Sequence, residues 1–515
     1  MYFIAGYVSM YDENSETSHS LSSIGNNHDV NLSALSENLD SRLFFLEEND
    51  QGNAQRLIER YGADLMYVPT KDWFVWDGRC WVPDMEAQSV NRMAHKVAAH
   101  IKTEAEAIDI GLLIRKFVEQ DGLSEKKARK EASVAIKRHK KWGIISGNQA
   151  KISPMIKASQ PYLTTRISNL NEDNYLLCVE NGTLELHVRE MERNGYVRIK
   201  AHSREDRITC LANAKFDPEA TCPTWENFLI QILPDEETRL FVQRFMGYMI
   251  TGDISEQCLC VFYGDGANGK STMMEVLAAV MGDYAKSLPI SSLLHTDRKG
   301  GGDATPDLAR LPWARYLRTS EPEAGSKLSV SLIKQMTGGE QMTVRALHKD
   351  FIEFMPQFKI VLAFNNKPNI TGGDHGTWRR IKMVPFTMQI AEQDKDPHLK
   401  EKLLEERSGI LNWLLDGYRM WQDQKGLNTP ASVLEATDEY RDEQNHITVY
   451  IRDRVTRSEG QRIQASKLYN DYCEWCQNNG IKEYTQSLFG RIVVERGLKK
   501  FKQGVLYYTN VGFVD

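Results

Sequence analysis

The stretch Val261-Phe-Tyr-Gly-Asp-Gly-Ala-Asn-Gly-Lys-Ser-Thr272 limits what this chain can fold into more than any other. It joins a short apolar run, Gln257 to Tyr263, to a helix-forming run, Ser271 to Met281. Gly264, four intervening residues (Asp265, Gly266, Ala267 and Asn268) and then Gly269-Lys270-Ser271 match the P-loop pattern. In that pattern backbone N–H groups and the positive end of a helix surround phosphate. Lys270 would neutralise phosphate charge and Ser271, followed by Thr272, would place a hydroxyl on Mg²⁺. An ordinary Gly-rich turn can carry the same letters. A strand before the loop and Met273-Met-Glu-Val-Leu-Ala-Ala-Val280 continuing as a helix are the setting that favours a phosphate cradle.

At 515 residues the chain exceeds one compact core, and three or four domains are expected. Apolar residues at 41% and charged residues at 26% describe an ordinary soluble protein. No apolar run approaches the ~20 residues of a membrane span, so no membrane association is expected. The segment Met1 to Met10 lacks the basic flank and small-residue cleavage site of a secretory signal. A net charge of −6 argues against a surface coated with cations, so any nucleic-acid role must rest on local charge. The eight cysteines, at 80, 178, 210, 222, 258, 260, 473 and 476, show no framework spacing, which suits a reducing cytosol. Cys473 and Cys476 form a C-x-x-C inside a helical-looking run without a second Cys or His pair, and a structural role is expected over zinc.

Along the chain, residues 1–48 read as a mobile Ser/Asn/Asp/Glu-rich tail. Residues 49–205 read as an α+β domain, 206–255 as a helical collar, 256–390 as the core around the loop, 391–445 as a helical lid and linker, and 446–515 as a small terminal domain. Asp72 to Val82 reads as two strands about an Asp77-Gly78 turn, and Tyr175 to Leu186 as a hairpin with an Asn181-Gly182 turn. Trp73, Trp76 and Trp81 could stack on bases, although packing in a small hairpin core suits them better. From Ser89 to about Lys141 the pattern is helical. Within it Lys126 to Lys141 holds eight basic residues against Glu131, a solvated helix face or a DNA-contacting one.

Beyond the loop helix, Lys299-Gly-Gly-Gly-Asp303 reads as a flexible surface loop. Trp313 to Glu323 reads as a strand ending in acids, although Arg318 and Thr319 interrupt its apolar run. A P-loop ATPase needs a carboxylate there, with Glu321 the first choice and Glu323 the second. Gly338-Gly339-Glu340 precedes a hairpin from Thr343 to Phe354 that includes Arg345 and carries His348 and Lys349 at its tip. The apolar strand Phe358 to Pro368 ends in Asn365-Asn366, where an amide can orient water or sense a γ-phosphate, or simply cap a turn. Arg379 and Arg380 open the next strand, either as surface cations or as an arginine finger for a neighbouring subunit.

Taken in this order, P-loop, acidic strand, basic hairpin, Asn-ending strand and paired arginines, the chain resembles the superfamily 3 helicases, a branch of the AAA+ ATPases. In particular it resembles the helicase half of phage and plasmid primase-helicases related to the poxvirus primase-helicase, over about residues 53–515. The resemblance implies a multidomain α/β fold with an AAA+ P-loop core and a hexameric ring sharing ATP and Mg²⁺ between subunits. It also implies a pore hairpin gripping DNA and tracking 3′ to 5′. Carried onto this chain, Gly264, Gly269, Lys270 and Ser271 hold ATP and Mg²⁺, Glu321 activates water, Asn365 senses the γ-phosphate, Arg379 or Arg380 is the finger, and His348 with Lys349 grips the backbone. Relatives often carry a priming domain ahead of the helicase. With about 50 low-complexity residues before the shared region, no primer synthesis is expected, which leaves room for a separate primase or polymerase.

At the C-terminus, Ala465 to Asn478 and Tyr484 to Glu495 read as helices and Lys499 to Tyr508 as a basic hairpin, the order of a winged helix. Arg491, Arg496, Lys499, Lys500 and Lys502 against Glu495 supply a surplus of four charges suited to phosphate, although a winged helix can also serve protein contacts. The expected activity is ATP-driven unwinding of duplex DNA in replication of a phage or mobile element, in the cytoplasm of a host. One rival is a nucleotide-switched protein that marks or melts an origin without processive unwinding. A more remote rival is a P-loop kinase for a small molecule.

Overall fold

Alternating apolar residues and turn chemistry shape the first small sheet. The computed structural model describes residues 38–186, 197–294, 304–319, 326–365, 367–370, 375–444 and 446–514. These fall into two compact units, 38–57 with 94–158, and 58–93 with 159–514. Of the expected tail, residues 38–48 are not mobile chain, because Leu39–Leu43 is helical and Leu43 and Phe44 are buried, while residues 1–37 lie outside the described residues.

The first unit is helical. Helices Ile110–Glu119, Glu125–Ser146 and part of Gln88–Ala107 bury Phe44, Ala105, Ile108, Leu113 and Ala132 together. At its centre Arg56, fully buried, donates from Nε to Glu104 at 2.9 Å and from its other nitrogens to the carbonyls of Leu43, Leu46 and Glu47. His139 meets the same carboxylate at 3.1 Å. Desolvation offsets much of the attraction in a buried pair of this kind, but removing one partner would leave the other charge buried and uncompensated.

In the second unit, β1 (Leu65–Val68), β2 (Asp72–Trp76) and β3 (Trp81–Pro83) form an antiparallel sheet turned by residues 77–80, as the Asp77-Gly78 signal predicts. Trp73 and Trp81 are buried, and Trp76 packs edge-on to Trp81, so the tryptophans serve the core. β4 (Leu176–Val179) and β5 (Gly182–Glu185) form the expected Asn-Gly hairpin, and β6 (Arg198–Lys200) adds an edge that the polar sequence does not announce.

The centre is a parallel sheet of β7 (Leu259–Tyr263), β8 (Ala285–Leu288), β9 (Tyr316–Thr319), β12 (Lys359–Phe364) and β13 (Ile381–Pro385), in the order β13-β7-β12-β9-β8. β7 and β12 are near-continuous apolar runs, as strands covered on both faces must be. Between β9 and β12 the chain makes the antiparallel pair β10 (Met342–Arg345) and β11 (Phe351–Phe354). One face of the sheet shares a core with helices Pro223–Ile232, Glu236–Met249, Lys270–Met281 and Arg407–Gln424 and with the β4–β5 hairpin. That core runs without a break across the boundary expected at residues 255 and 256. The helices Glu236–Met249 and Arg407–Gln424 cross at Gly247 and Gly417. A Cβ on either glycine would collide with backbone of the opposite helix.

The terminal segment has a core of its own around Tyr450, Leu468, Tyr472, Phe489 and Tyr508. Its order is helix His446–Arg454, β14 (Val455–Gln464), helices Ala465–Asn478 and Gln486–Glu495, then β15 (Lys499–Gln503) and β16 (Val505–Phe513), with sheet order β14-β16-β15. The helix Ala465–Asn478 has the expected bounds, and β14 was not anticipated. Cys476 lies in this core, and burial pushes its thiol up. All eight cysteines are unbridged, and burial holds Cys80, Cys222 and Cys258 up at about 12, which makes them poor nucleophiles at neutral pH. Among the described residues no helix is long and apolar enough to cross a membrane.

Candidate functional site

The chain leaves β7 at Tyr263 and must turn back to start the helix Lys270–Met281. Three residues in that turn take left-handed backbone: Gly264 with φ of 154°, Ala267 with 61° and Gly269 with 78°. A Cβ at Gly264 would collide with the Phe386 carbonyl, and one at Gly269 would come within 2.5 Å of the Ile232 side chain, with Phe228 just behind. Only glycine fits either place. The loop is therefore clamped between the end of β13 and the helix Pro223–Ile232, which forms its floor.

Lys270 opens the helix with its side chain buried. Its Nζ donates to the Gly264 carbonyl at 2.5 Å, the Asp265 carbonyl at 3.3 Å, Asn268 Oδ1 at 3.0 Å and Asn365 Oδ1 at 3.1 Å. The last of these comes from the end of β12, the strand beside β7. A loop lysine and a strand-end amide 95 positions apart in sequence thus meet at one point. Around them is a cavity of about 490 Å³ lined by residues 266–272, Glu275, Ser287, Arg318, Thr319 and Asn365.

The cavity lies at the C-terminal ends of parallel strands, where the chain path switches direction: β7 leads to the far edge, while β12 leads over β7 to β13. Open α/β sheets place ligands at such a point. Residues 266–270 and the start of the helix line it, and the amides at a helix start carry the positive partial charge a polyphosphate needs. Ser271 is exposed beside them. Thr319 Oγ1 is buried and has no hydrogen-bond partner among the described residues. The donor set fits the phosphates of a nucleoside triphosphate, with the Ser271 hydroxyl available to Mg²⁺.

Of the residues expected here, Gly264 to Thr272 and Asn365 come together. Glu321 and Glu323 lie outside the described residues, as do the loop 299–303 and Asn366. Arg318 and Thr319, read in the sequence as interruptions of a strand, instead line the cavity. They are polar because they stand at the strand end that faces it.

Arg379 and Arg380 are not near this loop. The Leu259 N–H donates to the Arg380 carbonyl at 2.8 Å, which places both arginines at the opposite end of β7. Four strand steps of about 3.3 Å put some 13 Å of sheet between them and the loop's start. Arg379 is exposed and donates to Gln257 at 2.7 Å.

The hairpin β10–β11 carries Arg345 near its end and His348 and Lys349 at its exposed tip, where His348 has φ of 57°. Leu347 and Phe351 flank them, 63% and 51% exposed. In the terminal segment, Arg491, Lys499, Lys500 and Lys502 are all exposed. Register sets Lys500 and Lys502 on one face of β15. On β14, across β16 in the same sheet, Arg462 stacks over the Tyr507 ring at 4.8 Å, a cation the sequence reading did not single out.

Residues 54–234 match a family model described as "D5 N terminal like". Among known proteins the chain is similar to "Putative helicase L207/L206" of Acanthamoeba polyphaga mimivirus, 29% identical over 461 residues, spanning 84% of this chain and 46% of the relative. It is similar also to "Putative primase C962R" of African swine fever virus (isolate Tick/Malawi/Lil 20-1/1983), 25% identical over 337 residues, spanning 61% of this chain and 34% of the relative. Among solved structures it is similar to the apo NrS-1 C terminal region, with 14% identity, a TM-score of 0.37, 62% of this chain covered and 82% of that one. The chain thus spans less than half the length of these curated relatives. The resemblance to primase-helicases read from the motifs is borne out by this kinship.

Proposed function

We propose, with kinship to the D5-like helicases and primases of large DNA viruses as the premise, that this chain is an ATP-hydrolysing DNA helicase whose nucleotide sites are completed between subunits. The observation that carries the reading is the meeting of Lys270 and Asn365 in a cavity walled by the loop 266–272. A cation and a neutral amide so placed can hold a γ-phosphate and register its loss.

Lys270 and the loop amides bind and orient the phosphates, and Ser271 offers a hydroxyl to Mg²⁺, which when bound neutralises developing charge on the phosphoryl oxygens. Asn365 positions the attacking water without adding charge. Glu321, or failing it Glu323, accepts its proton. Arg379 and Arg380 are too far along the sheet to serve their own loop. The finger role therefore requires a second copy, a head-to-tail contact that closes into a ring, with a hexamer as the expected number. The hairpin tip, His348 and Lys349 with Arg345 behind, then carries the DNA strand as subunits change state, tracking 3′ to 5′ by resemblance. The AAA+ core and the winged-helix character of residues 446–515 belong to the same proposal, with Arg491, Lys499, Lys500 and Lys502 as backbone contacts. So does a cytoplasmic place of work.

The test is strand displacement on a forked duplex. Wild-type chain separates the strands with ATP, and Lys270→Ala does not, although it still binds DNA. Undiminished unwinding by Lys270→Ala would refute the proposal, and ATP-dependent assembly without any displacement would favour an origin-marking ATPase instead.

A further inference from the structure

We propose that the outward face of the helix Glu125–Ser146 is a further binding surface for the phosphate backbone of nucleic acid, separate from the hairpin tip and the terminal strands. The inference rests on the DNA-directed reading above, and concerns residues to which that reading gives no task.

The helix has 22 residues and two sharply different sides. Its inner side buries Ala128, Ala132, His139 and Gly143. At Gly143 a Cβ would sit 3.2 Å from the Ala98 carbonyl and 3.3 Å from Ile101, so this helix and Gln88–Ala107 lie in close contact. At about 100° per residue those buried positions lie roughly 200° to 260° around from Lys126. Lys130, Lys137 and Lys141 lie about 40°, 20° and 60° from Lys126 on the same scale, diametrically opposite the packed side. All four are exposed. They form a straight row about 22 Å long.

Three of the four other cations on this helix are paired, and only Lys127, exposed about 100° around from Lys126, has no ion pair among the described residues, like the row itself. Arg129 pairs with Glu125 at 2.7 Å, Arg138 with Glu48 at 3.0 Å and Lys140 with Glu106 at 3.5 Å. Lys126, Lys130, Lys137 and Lys141 enter no ion pair among the described residues. Four like charges on one face repel one another and cost stability, so a solvated helix gains nothing from the arrangement. The chain as a whole carries −6, which makes the local surplus stand out further.

A polyanion with regular spacing suits the row. One strand of duplex presents a phosphate about every 3.4 Å along the axis, about six over the length of the row. A membrane surface fits less well. Of the large apolar residues on this helix only Val134 and Ile144 are conspicuously exposed, at 47% and 78%, and the rest of its apolar side is packed against its own unit.

The experiment uses the full chain without nucleotide. Binding to labelled duplex and to labelled single-stranded DNA is followed by fluorescence anisotropy from about 50 to 200 mM salt, where phosphate contacts dominate the salt dependence. Lys126, Lys130, Lys137 and Lys141 are changed together to Gln, and in a second variant together to Arg. For duplex the Gln variant is expected to lose more than tenfold in affinity at the lowest salt and to flatten the plot of log K against log salt by about 3 to 4. For single strands the flattening is about 2 to 3. The Arg variant keeps wild-type binding, and hydrolysis of ATP without DNA is unchanged in both. A Gln variant whose slope stays within about one of wild type on both probes overturns the surface while leaving the helicase reading intact. Loss of affinity that the Arg variant shares overturns it too, since shape and not charge would then be at fault. Wild-type chain that binds neither probe removes the helicase reading along with it.

Discussion

Lys270 reaches across the cavity to Asn365, and the two groups have separable tasks. Asn365→Ala leaves the loop amides and Lys270 in place. Nucleotide affinity should stay within a few-fold while the rate of phosphate release falls by about 10² to 10³, the usual cost of one preorganised polar group. Equal losses in binding and turnover would instead make Asn365 part of the fold. Gly269→Ala acts otherwise, because a side chain at that left-handed position meets Ile232 and Phe228. Nucleotide binding should disappear by calorimetric titration, with a lowered melting temperature. Most of this site was legible at the level of residues. The loop glycines, Lys270 and the terminal amide are each the one side chain that serves its position. Arg318 and Thr319 were not legible as lining residues, because a polar residue at a strand end looks the same in sequence whether it meets a cavity or a neighbouring loop.

At the scale of elements, strands with two buried faces and hairpins with Asn-Gly or Asp-Gly turns announced themselves, and so did amphipathic helices such as Ala465–Asn478. β6 and β14 did not. β14 buries only Ile463 among mostly exposed residues, so pairing with β16 makes it a strand and local pattern does not. The crossing of Glu236–Met249 with Arg407–Gln424 was likewise hidden, since two glycines in helical text look like weak points until a second backbone rests on them. Gly247→Ala should therefore destabilise the chain by about 1 to 3 kcal/mol, against the gain that alanine brings to a free helix. Thermal melting decides the sign. The helix at His446 adds a pH effect. Burial lowers the pKa of this ring, and the Tyr472 hydroxyl, which accepts the Tyr484 N–H, meets its Nε2 at 2.6 Å. The folded segment keeps the ring neutral, so below the usual value near 6.5 the unfolded chain takes up a proton that the native one refuses. Stability is full above that value and falls as pH drops toward the lowered native one. The terminal core should melt earlier at pH 5 than at pH 7, by less in His446→Gln.

At the scale of the whole molecule, the proposed sharing of each site between two copies is tested by mixing. Lys270→Ala subunits keep their arginines, and subunits with both Arg379→Ala and Arg380→Ala keep their loop. Each alone should hydrolyse ATP slower by about 10³ or more, whereas a mixture should recover activity at the interfaces that join an intact loop to an intact arginine. Failure to recover, with both variants assembling normally, would place every catalytic group within one copy. No amount of motif reading could have separated these cases, because register, not spacing, sets Arg379 and Arg380 at the far end of β7. A last consequence follows from the helix Pro223–Ile232. It lies inside residues 54–234, which match the D5 N terminal like model, yet its Phe228 and Ile232 support Gly269 beyond that match. A chimaera that joined residues 54–234 of one relative to the loop-bearing part of another at residue 235 would set the candidate phosphate cradle on a foreign foundation. The two parts are therefore expected to descend together.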